Sequence, residues 1–119
     1  MNHGLSESTV RRLQAVLSRH PEVEKAILYG SRAKGTARPG SDIDLTLIGE
    51  GVDERTLGRI EDEVEELLLP YRVDLSAFAG LTHADLIAHI DRVGRVFFDR
   101  EDVTEATERS KRRVLMETQ

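Results

Sequence analysis

There is no cysteine in this chain of 119 residues, so disulfide scaffolds, thiolate zinc sites and cysteine nucleophiles are excluded. Long hydrophobic runs are missing as well. Nothing approaches the ~20 apolar residues of a membrane-spanning helix, and the polar stretch over residues 1–20 lacks the apolar centre of a signal peptide. No membrane contact is expected, and the cytoplasm is the expected location. A basic excess is also lacking. The formal net charge is −5, whereas a protein that binds polynucleotides needs a basic footprint, so direct nucleic-acid binding is not expected. Internal repeats and low-complexity tracts are absent. What remains is one domain's length of chain, with 39% apolar residues for a modest core and 33% charged residues for its surface.

The charge is unevenly spread. Residues 30–41 hold Arg32, Lys34 and Arg38 and no acid, while residues 53–66 hold seven acids against Arg55 and Arg59. A small basic patch on an acidic protein suits a nucleotide better than a polynucleotide. Hydrophobic spacing outlines the elements. A helix is expected over 6–19, capped by Ser6 or Ser8, with Val10, Leu13, Val16 and Leu17 on one face and Pro21 after it. Strands are expected over 23–29, 42–48 and 71–77, and a short one over 95–98. Asp53 should cap a helix carrying Leu57, Ile60, Val64, Leu67 and Leu68, stopped by Pro70, with a solvated acidic outer face. Thr82 should cap another, carrying Leu86, Ile87, Ile90 and Val93 and ended by Gly94. This order makes an α/β fold: a small mixed β-sheet with helices packed on one face. The domain is expected over residues 1–99. Residues 100–119, with five acids, five bases and the cluster Arg109, Lys111, Arg112 and Arg113, are expected to form a charged tail, either a frayed helix or a docking segment.

Alternation within the strands carries the functional signal. In the second strand Ile43, Leu45 and Leu47 share one face and Asp42, Asp44 and Thr46 the other; in the third, Tyr71, Val73 and Leu75 oppose Arg72, Asp74 and Ser76. Residues i and i+2 of a strand point the same way, roughly 6.6 Å apart, so Asp42 and Asp44 can converge on a hard, oxygen-seeking cation such as Mg²⁺. Aspartate is disfavoured in strands, and like charges on one face repel, so this pair calls for a cation. Asp74 could complete a two-metal site or accept a proton from an attacking hydroxyl. Just upstream, Gly30-Ser31 ends an apolar strand and opens a turn, with Lys34 and Arg38 following. Its N–H groups, hydroxyl and basic side chains suit phosphate. A phosphate grip beside a carboxylate site is equipment for phosphoryl or nucleotidyl transfer.

Other motifs fail on particular positions. A nucleophile elbow at Ser31 would need glycine where Tyr29 and Ala33 stand. A P-loop would need Lys then Ser or Thr after Gly35, where Thr36-Ala37 stand. An EF-hand would need glycine at Leu47. His83 and His89, six apart on a helix, face different ways and read as surface or packing residues.

Gly30-Ser31, ten intervening residues, then Asp42-Ile43-Asp44 resembles the signature of the DNA polymerase beta-type nucleotidyltransferase superfamily. The short chain, the Gly-Ser-Arg-Ala-Lys-Gly turn and the Ser-Asp-Ile-Asp-Leu strand resemble its minimal nucleotidyltransferase branch, over roughly residues 6–99. The resemblance implies a polymerase beta-like nucleotidyltransferase fold, with Gly30 and Ser31 on the triphosphate and Asp42, Asp44 and Asp74 as catalytic carboxylates holding Mg²⁺. Lys34 and Arg38 stand where basic phosphate contacts are useful. Minimal members of this kind are often paired with a helical HEPN-type protein. In several pairs that partner is a ribonuclease toxin, and the nucleotidyltransferase is its antitoxin, moving AMP from ATP to a toxin tyrosine. Two rival expectations stand beside this one. One is a nucleotide-binding antitoxin that acts by occlusion without chemistry; the other is a small-molecule nucleotidyltransferase completed by a helical partner.

Overall fold

A computed structural model describes residues 3–102 of the chain. The order is α1 (Glu7–Ser18), β1 (Lys25–Tyr29), α2 (Gly30–Lys34), β2 (Ile43–Ile48), α3 (Glu54–Glu66), β3 (Val73–Ala77), a single 3₁₀ turn at Phe78–Gly80, α4 (Ala84–Val93) and β4 (Arg95–Asp99). The strands form one mixed sheet in the order β3-β2-β1-β4. β1 runs antiparallel to β2 and β4, and β2 runs parallel to β3. A parallel pair needs a crossover, which α3 provides. The basic cluster Arg109 to Arg113, a candidate for docking, lies outside the described residues.

The apolar face follows from the alternation. Ala26 and Leu28 of β1, Ile43, Leu45 and Leu47 of β2 and Leu75 of β3 pack against Leu13, Val16 and Leu17 of α1 and Ile60 and Val64 of α3. Ser6 caps α1, its hydroxyl accepting from the Thr9 N–H at 3.1 Å, and Asp53 caps α3 by accepting from Thr56 N–H at 2.8 Å. Gly94 ends α4. A bulge opposite Ala26 and Ile27 lets both Phe97 and Phe98 enter the core, which a regular strand would forbid because successive residues face opposite ways.

Four local expectations need correcting. β1 and β3 each begin two residues later than the apolar runs suggest. The cap of α4 is His83, whose Nδ1 accepts from Leu86 N–H at 3.3 Å, rather than Thr82. Leu68 is not part of the α3 stripe: the helix ends at Glu66, and Leu68 takes a positive φ of 54° and is 86% exposed. Pro70 disfavours helical backbone at the residue before it, so the helix closes early and Leu68 turns outward. The outer face of α3 is not uniformly solvated either. Glu63 accepts from Arg19 and pairs with the His20 ring, tying α3 to the end of α1. Burial pushes the Glu63 carboxyl up, but the bonds from Arg19 and His20 outweigh it and hold the group below its usual range.

Arg100, the first residue assigned to the tail, is anchored in the domain. Its guanidinium donates to the carbonyls of Leu17, Ser18, His20 and Val23 and lies 5.4 Å from the Phe98 ring centroid. α1 has no basic residue in its last turn, so a cation from beyond β4 satisfies its terminal carbonyls. None of the described helices is long and apolar enough to cross a membrane.

The second face of the sheet is not bare. α1 and α3 form the expected layer, and α4 crosses the lower part of the opposite face. There a Cβ on Gly94 would meet Ile27, which shares that face with Thr46 by register. Thr46 is consequently fully buried. The upper part, where the aspartates stand, is left open.

Candidate active site

One row of residues crosses three strands. Tyr29 of β1 pairs with Asp44 of β2, and Asp44 pairs with Asp74 of β3. Adjacent strands lie ~4.8 Å apart, so the two carboxylates project side by side from one face. Asp42 stands one residue ahead of β2, exposed; Asp74 is exposed and Asp44 half-buried. Beneath the row, Ser76 Oγ donates to Thr46 Oγ1 at 2.9 Å, and Ser76 also bonds the Tyr29 hydroxyl. Burial raises the Asp44 pKa, and the charges of Asp74 and Asp42 raise it further, against the opposing pull of Arg32. Burial likewise pushes the Tyr29 phenol up, with Asp44 and Asp74 adding to it and the Ser76 bond opposing. The site is thus short of positive charge.

The Gly-Ser turn meets this row directly. Gly30 opens α2 with a φ of +74°, and a Cβ at that position would collide with Asp44 Oδ2. Glycine is required here twice over: by the left-handed backbone and by the carboxylate resting on its Cα. Gly35 closes the short helix at φ +77°, and the Gly35 and Thr36 N–H groups both turn back to the Ser31 carbonyl. Ser31 is half-buried, and Lys34 and Arg38 are exposed on the same connection.

Arg32 has a different place from that of a phosphate ligand. It is 2% exposed, its Nε and Nη2 donate to the Ser41 carbonyl at 3.2 and 2.8 Å, Nη1 donates to the His3 carbonyl at 3.0 Å, and its carbon lies 4.8 Å from the Tyr71 ring centroid. It is a clamp that fixes the residue just before Asp42. The turn it holds is closed on itself, Ser41 N–H to the Arg38 carbonyl at 3.0 Å and Arg38 N–H to Ser41 Oγ at 2.9 Å. With Arg32 turned inward, the free charge of the basic patch falls to Lys34 and Arg38.

His89 was missed. Its Nε2 accepts from Gly30 N–H at 3.2 Å, and its ring meets Tyr29 edge to face with centroids 6.2 Å apart. A histidine inside an apolar helical stripe gives no local sign of a contact 59 positions away in the chain.

Among the described residues no group of three or more His, Asp or Glu side chains is gathered closely enough to hold a metal ion. Mg²⁺ seldom uses a closed protein cage; one or two carboxylates hold it, and substrate phosphates and water complete the shell. An all-oxygen donor set in which burial, and then mutual repulsion, raises Asp44 fits that mode of binding, and does not fit a three-carboxylate cage formed in advance.

Comparison with known proteins agrees with this geometry. Residues 11–103 match the family model described as Polymerase beta, Nucleotidyltransferase. A Haemophilus influenzae protein described as a probable protein adenylyltransferase, MntA, is 37% identical over 78 residues, covering 65% of this chain and 68% of that one. Among solved structures, a toxin–antitoxin with AMP-PNP superposes with a TM-score of 0.61 at 17% identity, covering 96% of this chain and 98% of the other. A complex of tri-AMPylated Shewanella oneidensis HEPN toxin with MNT antitoxin gives 0.61 at 13% identity with the same coverage. At these identities the structural likeness establishes the fold.

Proposed function

The chain belongs to the polymerase beta nucleotidyltransferase family, and from that premise we propose that it moves AMP from ATP to a hydroxyl, a tyrosine side chain, of a HEPN-type toxin and so acts as an antitoxin. The observation that carries the reading is Gly30 lying against Asp44, with Asp74 beside it in register. The phosphate turn and the carboxylate row are one unit. The relative described as a protein adenylyltransferase supports a protein acceptor, and the tri-AMPylated HEPN toxin with its MNT antitoxin supports the partner class.

In this reading the Ser31 hydroxyl and the Ser31 and Arg32 N–H groups near the start of α2, which have no intrahelical acceptor, bind the triphosphate. Lys34 and Arg38 add charge at its outer side. Asp42 and Asp44 would hold Mg²⁺ together with phosphate oxygens, and Asp74 would join them or take the proton of the attacking hydroxyl. Mg²⁺, when bound, neutralises phosphate charge as it builds up on the leaving group. The tyrosine oxygen forms a bond to the α-phosphorus, the bond to the bridging oxygen breaks, pyrophosphate departs, and the tyrosine proton passes to Asp74 or water. The backbone N–H groups and Arg32 keep the turn and the Asp42 approach fixed throughout. The cytoplasm, where ATP is abundant, is the proposed location.

The test is direct. The protein, labelled ATP, Mg²⁺ and a candidate HEPN-type partner protein are incubated together, and the products are read by mass spectrometry. The partner should gain mass in increments of one AMP, and EDTA should stop the gain. A partner blocked equally well without ATP and carrying no modified peptide would establish occlusion instead. Labelling of a small metabolite with the partner untouched would move the acceptor to that class.

A further inference from the structure

We propose that His89 is the positioning residue of the nucleotide turn: its imidazole, through Nε2, holds the Gly30 N–H and thereby sets where the phosphate-binding backbone stands against Asp44. The inference rests on the nucleotide-binding reading given above and extends it to a residue on α4, a helix outside the signature segment.

The bond runs from Gly30 N to His89 Nε2 at 3.2 Å, so Nε2 is the acceptor and the ring proton sits on Nδ1. Tyr29 meets the ring edge to face at 6.2 Å with an interplanar angle of 82° and packs against it in this orientation. Gly30 lies directly against the carboxylate row, since a side chain there would strike Asp44. A left-handed residue at the head of a short helix has little of its own to keep it in place. Its N–H is an orphan by the geometry of helix starts, and the imidazole supplies the missing acceptor. Two consequences follow. The Gly30 N–H is already engaged, which leaves the Ser31 and Arg32 N–H groups and the Ser31 hydroxyl as the phosphate donors. The attitude of the turn also becomes coupled to the position of α4, whose C-terminal end is fixed against β1 by the close approach of Gly94 and Ile27.

Two variants of the full-length protein separate this role from simple packing. His89→Leu keeps bulk and removes the acceptor. His89→Gln places a carbonyl oxygen where Nε2 stood. Titration with ATP and Mg²⁺ should show His89→Leu weakened by roughly two- to twelvefold, the span of one neutral hydrogen bond, with the fold retained by circular dichroism. His89→Gln should be restored toward wild type. Protection of the Gly30 amide against hydrogen exchange should fall in the Leu variant and persist in the Gln variant, and nitrogen NMR of the wild type should report the Nδ1–H tautomer. The last two readouts need no nucleotide, so they stand or fall apart from the proposed activity. An Nε2–H tautomer, or Gly30 protection unchanged in His89→Leu, would overturn the positioning role. So would equal ATP affinity in wild type and His89→Leu. Wild-type protein that binds no ATP, with the NMR and exchange results as expected, would remove the nucleotide-binding reading and with it the role assigned to His89 in that site.

Discussion

Asp44 and Leu45 are neighbours in β2, and they face opposite sides of one sheet. Leu45 is fully buried under α1 and α3, among side chains that gain by being together. Asp44 stands half-buried beside Asp74 and Asp42, and burial together with those charges works against its ionised form. One face of the sheet holds the protein together; the other is held in place by the first at some cost to itself. The difference teaches how a small domain keeps an active site: unfavourable charge is tolerated where the opposite face is well packed and where a ligand can later relieve it.

The largest expected effect breaks the site face alone. Asp42→Asn with Asp44→Asn should lower AMP transfer by at least roughly a hundredfold, the scale on which placed charges act on a transition state. Circular dichroism and Tm should show an intact fold. Unfolding of this double variant would mean that the site face also carries the structure, and the contrast would fail. On the packed face, Leu45→Ala should cost about 2–5 kcal/mol in urea unfolding, from lost burial and the cavity left behind. A cost under about 1 kcal/mol would show that the packed face is looser than the geometry suggests.

Gly30→Ala sits where the faces meet. The left-handed backbone costs a residue with a Cβ roughly 1–2 kcal/mol, and the Asp44 carboxylate must move as well, so nucleotide affinity should fall along with Tm. If affinity is kept while Tm falls, Asp44 need not lie against the turn. The smallest effect is a matter of pH. Because the folded Asp44 pKa is raised, the native state holds this proton more tightly than the unfolded chain. The group therefore lowers stability above its folded pKa, and that penalty disappears as pH falls below the ordinary carboxylate value. Asp44→Asn should thus be slightly more stable than wild type near neutrality, and the gap should close toward pH ~4. A gap that is constant across this range would trace the gain to something other than the carboxylate charge.

Glu63 gives the opposite case on the helical side of the molecule. Its folded pKa is lowered by Arg19 and His20, so its contribution is present above the unfolded carboxylate value and is lost as pH falls through the folded one. A carboxylate thus stabilises one part of the domain and strains another, according to what surrounds it.

Much of this was legible in the chain. Apolar alternation in β2 and β3 assigned Leu45 and Leu75 to the core and Asp44 and Asp74 to a common face, because side-chain direction in a strand is a local property with a period of two. Gly30 and Asp44 announced themselves by residue type at a fixed spacing. The C-terminal end of α3 and the cap of α4 were misjudged because helix boundaries depend on a turn's competing hydrogen bonds, as at Leu68 and His83, more than on hydrophobic spacing.

What the sequence by itself determined, then, was the set of strands and helices, the polarity of each strand face and the juxtaposition of a basic glycine-containing turn with carboxylates over residues 30–44. Their resemblance to a nucleotidyltransferase signature was legible there as well. The tertiary structure alone decided which charges are free and which are spent. Arg32 turned inward to clamp Ser41, Arg100 was drawn to the end of α1, and His89 was brought to Gly30 across 59 positions. Local periodicity reports the direction of a side chain relative to its own backbone. It carries no information on which distant backbone will lie within reach of a long or ring-bearing side chain once the sheet has closed.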